Sequence, residues 1–67
     1  MTFNEALQEA LEGKKIRSKN DPLVYFMLGG AHGSNRVLEV RGLLTNEFLG
    51  FPWILEEMLK AEWEIWQ

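Results

Sequence analysis

Phe3, Ala6, Leu7, Ala10 and Leu11 recur at i, i+3, i+4, i+7 and i+8, while Asn4, Glu5, Gln8, Glu9 and Glu12 fill the positions between. That period places one apolar stripe on a helix over residues 3–12. Thr2 stands where an N-cap belongs, with Glu5 three residues on, the pattern of a capping box. Gly13 supplies the stop, because glycine tolerates the left-handed conformation past a helix end. Lys14 and Lys15 suit the negative pole of the helix dipole.

The period then changes to two. Lys15-Ile16-Arg17-Ser18 alternates and predicts a short strand. Lys19-Asn20-Asp21-Pro22 is a turn, since the residue before proline is pushed out of the helical region. Leu23 to Leu28 predicts a buried strand, with Val24, Phe26 and Leu28 on one face and Leu23, Tyr25 and Met27 on the other. Few of these side chains suit water, so the second face calls for cover from a neighbouring subunit or a ligand. Residues 29–35, with three glycines, predict a flexible hairpin tip. Arg36 to Arg41 is the returning strand, Leu38 and Val40 inward. Residues 42–51 show no clean period but are apolar enough that parts should pack. Pro52 opens a helix over 53–60, with Ile54, Leu55, Met58 and Leu59 facing the core. Trp63 to Gln67 closes as a strand, Trp63 and Ile65 on one face, Glu64 and Trp66 on the other.

The expected fold is α+β: an N-terminal helix packed on an antiparallel sheet of about four strands, with a second short helix before the C-terminal strand. All three tryptophans fall in residues 52–67, so the core should form around that stretch.

Length changes this picture. With 67 residues the chain is one domain of a size that buries little surface alone. Small domains usually need disulfides, a metal or a partner subunit. There is no cysteine and one histidine, which leaves self-association. The net charge of −3 argues against nucleic-acid binding, which calls for a basic surplus. No apolar run nears the roughly 18 residues of a membrane span, and the first residues do not read as a signal peptide. A cytoplasmic protein is expected.

Candidate chemistry is sparse. The glycine loop could cradle an anion through backbone N–H groups, but it lacks the Gly-Lys-Ser/Thr ending of a P-loop, and a strand follows it instead of a helix. His32 has no orienting partner in sequence for nucleophile or base work, so a solvated loop histidine is the better reading; ligand contact in an ordered loop stays open. Glu56, Glu57, Glu62 and Glu64 read as a solvated acidic face. Arg17, Arg36 and Arg41 lie on or beside strands, where a guanidinium can grip phosphate or carboxylate bidentately; singly, each also reads as charge balance. Tyr25, Trp53 and Trp66 are rings whose burial one subunit does not explain, and such rings stack on bases or anchor interfaces.

Thr2-Phe3-Asn4-Glu5-Ala6-Leu7, the Gly13-Lys14 turn with Arg17 after it, Tyr25-Phe26-Met27-Leu28, and the close from Pro52-Trp53-Ile54 to Trp63-Glu64-Ile65 resemble the small phage proteins of the second Thoeris anti-defence type. The likeness covers both ends, roughly two thirds of the chain. It departs at Asn20, where the family usually carries a tryptophan, and in a shorter middle. The resemblance implies a host-defence antagonist without cofactor or enzymatic activity, acting in the host cytoplasm. Such a protein sequesters a cyclic ADP-ribose-type signal in pockets between subunits of a homo-oligomer. Arg17 and Arg36 would then contact phosphates, and Tyr25, Trp53 and Trp66 would stack on the base. An anti-CRISPR assigned to the same family makes a host defence protein the alternative target.

Overall fold

In the computed structural model, which describes residues 1–32 and 35–66, the chain runs α1 (Phe3–Leu11), β1 (Lys15–Ser18), β2 (Val24–His32), β3 (Asn35–Gly42), β4 (Phe48–Gly50), α2 (Glu56–Lys60) and β5 (Trp63–Trp66). The α+β expectation holds, with five strands rather than about four. They form one antiparallel sheet in the order β4-β3-β2-β1-β5. The C-terminal strand lies beside β1, where Ile16 faces Ile65 and Ser18 faces Trp63.

The first helix is built as its sequence dictates. The Glu5 amide donates to Thr2 Oγ1 at 3.2 Å, and the Thr2 amide donates to Glu5 Oε1 at 2.8 Å. At the other end Gly13 takes φ +93°. Its N–H donates to the Ala10 carbonyl, and the Lys14 N–H reaches the Glu9 carbonyl, a Schellman closure that satisfies the last turn. Leu11, expected on the apolar stripe, is exposed.

Both helices lie on one face of the sheet. There Phe3, Ala6, Ala10, Ile16, Phe26 and Trp63 form the core, with Leu7, Val24, Leu38, Val40 and Met58 packed around it. Trp63 is its hub at 1% exposure. Its ring sits 4.9 Å from Phe3 and 5.3 Å from Phe26, centre to centre. Its indole N–H donates to the Met58 carbonyl at 2.8 Å, so the polar end of a buried ring is satisfied. Burying about 150–250 Å² of indole contributes on the order of 4–6 kcal/mol. One residue thus joins α1, β2, the end of α2 and β5.

Three expectations are corrected. The second helix begins at Glu56, not at residue 53, and Leu55 before it is extended (φ −101°, ψ 150°). Pro52, Trp53 and Ile54 lack a capping side chain, and ring and β-branched residues are poor helix formers. A five-residue helix against a face already filled by α1 buries little: Ile54, Leu55 and Leu59 are exposed, and Met58 alone of the expected four packs on the core. Second, β2 continues through Gly29 and Gly30 to His32, with a register irregularity between Leu28 and Ala31. A Cβ at Gly29 would meet the Glu39 carboxylate, so a larger residue there would push that side chain aside. The readings of the His32 side chain and of Gly33 and Ser34 lie outside the described residues. Third, residues 42–51 hold an edge strand rather than packed loop. Leu44, Phe48, Leu49 and Phe51 stay exposed.

Candidate functional site

Strand alternation sorts the polar residues onto the sheet face that neither helix covers. Lys15, Arg17, Tyr25, Met27, Glu39, Arg41, Glu64 and Trp66 share it, as the register shows: Arg17 faces Glu64, Lys15 faces Trp66, Tyr25 faces Arg41 and Met27 faces Glu39. Arg41 also faces Phe48 across the β3–β4 pair.

Cations and rings alternate across this face. The Arg17 guanidinium lies 4.6 Å from the Trp66 ring centre, the Lys15 ammonium 5.1 Å from Tyr25, and the Arg41 guanidinium 5.9 Å from Phe48. Each separation falls within cation–π range, worth about 0.5–1 kcal/mol where exposed. Carboxylates hold the arginines in place. Arg17 Nε donates to Glu64 Oε2 at 2.6 Å, and Arg41 donates through Nε and Nη2 to Glu39 Oε1 at 3.1 and 2.9 Å. Arg17 spends only Nε on its carboxylate, which leaves both Nη groups without a partner among the described residues for an anion to meet, whereas Arg41 engages all three nitrogens within its own chain.

Tyr25 is 2% exposed on this face. Its cover comes from its own chain: Lys15 lies over its ring and its hydroxyl donates to Asn46 Oδ1 at 2.9 Å. The expectation that a second subunit or ligand must cover this ring gives way here. A ring so enclosed presents no face for stacking, and its part is to hold the 43–47 turn against the sheet. Arg41 Nη1 donates to the Asn46 carbonyl at 2.9 Å, tying the same turn down a second time.

The structure brings Arg17, Tyr25 and Trp66 together and separates them from Arg36 and Trp53. Arg36, exposed, lies near the β2–β3 hairpin end two residues before Leu38, on the helix-bearing side by alternation. Trp53 is 84% exposed. It borders a shallow groove of about 300 Å³ over Val24, Phe26 and Val40, also on the helix-bearing side. The groove adjoins a deeper cleft of about 280 Å³ between the 18–21 turn and α2. Sequence reasoning passed over Lys15 and Asn46. The alternation of 15, 17, 25 and 41 placed the cations on one face, but the Asn46 contact depends on a turn with no period to read.

Among the described residues, no group of three or more His, Cys, Asp or Glu side chains is placed to hold a metal ion. None of the described helices is long and apolar enough to cross a membrane. No family model, no curated protein and no solved structure matches this chain.

Proposed function

We propose that this chain is a non-catalytic binding protein of phage type that sequesters a cyclic nucleotide immune signal of the cyclic ADP-ribose class in the host cytoplasm. The reading rests on the family resemblance at both ends of the chain, and one observation supports it in the fold. Four residues suited to a phosphate-and-base ligand fall on two faces of one molecule, Arg17 and Trp66 on one and Arg36 and Trp53 on the other, and Trp53 stands in solvent. Rings and guanidiniums split in this way serve one ligand only where two copies meet. Arg17, backed by Trp66 and Glu64, offers N–H donors to a phosphate. Trp53 and Arg36 of a second copy complete the pocket, Trp53 by stacking, worth about 1–3 kcal/mol per base. Tyr25 supports the face from within.

Titration calorimetry with cyclic ADP-ribose isomers and cyclic dinucleotides tests this. Saturable heat is expected with at least one of them, the ligand recovered intact. Arg17→Ala and Trp53→Ala should each weaken binding by about tenfold or more. No heat with any of these nucleotides overturns the proposal. A second reading, inhibition of a host defence protein by direct contact, draws on the exposed Phe51, Trp53, Ile54 and Leu55. A stoichiometric protein captured from host lysate, together with silence in the calorimeter, selects it.

A further inference from the structure

The charges on the sheet face opposite the helices do not cancel. Its cations are Lys15, Arg17 and Arg41, with Lys19 in the exposed turn after β1. Its carboxylates are taken: Glu39 by Arg41, Glu64 by Arg17, and Glu62, near Lys19, by the N-terminal ammonium. Lys15 is left over. It makes no hydrogen bond or ion pair among the described residues, in a chain with ten acidic residues against seven basic ones. Lys19 and Arg36 also lack an ion pair among the described residues, but both are exposed, where water serves them. Lys15 is half-buried on an interior strand, its ammonium 5.1 Å from the Tyr25 ring centre. That position costs it hydration, and a ring is a weak substitute. Its three N–H donors are open to an anion.

Arg17 stands two residues on, about 7 Å away along the same face of β1. Both its Nη groups are unspent among the described residues. The two heads lean to opposite sides of the strand, Lys15 over Tyr25 on β2 and Arg17 over Trp66 on β5. Trp66 also stands directly opposite Lys15 in the register, so its ring borders both. Arg41 does not join them, because all its nitrogens are engaged. Cation heads set apart in this way suit two joined phosphates better than one. One phosphate meets the ammonium as a point charge, the other the paired N–H groups of the guanidinium.

We infer that Lys15 and Arg17 form a diphosphate subsite, complete within one copy, with Lys15 as its second phosphate-binding residue. For its natural ligand the inference rests on the nucleotide reading. It narrows that ligand to nucleotides with a diphosphate bridge, as in cyclic ADP-ribose isomers, over cyclic dinucleotides, whose phosphates are separate. The test is NMR titration of the intact protein with inorganic pyrophosphate and, at equal ionic strength, inorganic phosphate. Pyrophosphate should saturate below about 10 mM and bind about tenfold more tightly than phosphate. The Trp66 indole N–H should move, and those of Trp53 and Trp63 should stay. Lys15→Gln keeps most of the stem over Tyr25, and unmoved Trp63 signals check its fold. It should weaken pyrophosphate about tenfold and phosphate about threefold or less. Lys15→Arg should retain binding, and Lys19→Gln should leave it unchanged. No pyrophosphate binding at about 10 mM overturns the inference. So does equal affinity for the two anions, or an equal loss in Lys19→Gln and Lys15→Gln, which would mean diffuse charge. Pyrophosphate binding without heat from any nucleotide keeps the subsite and overturns the nucleotide reading. A nucleotide held equally by wild type and Lys15→Gln does the reverse.

Discussion

Tyr25 carries a hydroxyl into a site 2% exposed, and a single acceptor, Asn46 Oδ1, satisfies it. Asn46 is also the one described non-glycine residue with positive φ, at 60°, a conformation asparagine tolerates better than most. Two demands therefore meet at position 46, and substitutions separate them. Tyr25→Phe removes the donor and is expected to cost about 1 kcal/mol, read as a fall of about 4–8 °C in melting temperature. Asn46→Ala strands the buried hydroxyl and also strains the backbone, for about 2–3 kcal/mol. Asn46→Gly relieves the backbone and keeps the hydrogen-bond loss, so it should fall between them. Combining Tyr25→Phe with Asn46→Gly should cost less than the two added. Additive losses in thermal or urea unfolding would mean that the hydroxyl and the amide do not act as a pair.

At the scale of the element, α1 shows how a local signal becomes a pH dependence. The Glu5 carboxyl is held below its ordinary value of 4.5, first by the hydrogen bond from the Thr2 amide and then by the Thr2 side chain. A folded value below the unfolded one contributes stability that is complete above the unfolded value. It is lost as the pH falls through the folded value. Glu62, lowered by the N-terminal ammonium at 2.8 Å, acts in the same window and direction. Glu5→Gln should therefore reduce the loss of stability between neutral pH and about pH 3 in urea unfolding. Thr2→Ala should cost about 1 kcal/mol at neutral pH. An unchanged acid slope in Glu5→Gln would remove the capping box from the account. This helix, β1, β3 and the two faces of β5 were legible in the sequence because each obeys one period and ends on a recognisable residue. Residues 42–58 were not. Gly42 and Gly50 bracket a turn whose fold depends on Asn46 finding Tyr25. The apolar spacing of Ile54, Leu55 and Leu59 mimics a buried helix face that the chain leaves uncovered. Of the candidate site, the shared face of Arg17, Tyr25 and Trp66 followed from alternation. The separation of Arg36 and Trp53 from it depends on long-range placement that no local spacing encodes.

For the whole molecule, the exposed apolar side chains set the remaining question. Phe48, Leu49, Phe51, Trp53, Ile54, Leu55 and Leu59 are each about half exposed or more, Trp53 at 84%. Phe48 and Phe51 touch, at 5.3 Å between ring centres, and Leu49, Phe51, Trp53 and Leu55 border one groove. The four that border the groove expose on the order of 500 Å², within the ~300–600 Å² of a typical monomer's largest patch, which is often functional. Covering these side chains favours association, and the proposed shared pocket requires it. Trp53 also separates assembly from folding, because an 84% exposed ring adds little to the packing of its own chain. Light scattering on the wild-type chain should give a dimer or tetramer at micromolar concentration. Trp53→Ser should move the population toward monomer, with the Trp63 core intact by near-ultraviolet circular dichroism. A wild-type chain that stays monomeric at about 100 μM overturns the association and, with it, the split-site account of nucleotide capture.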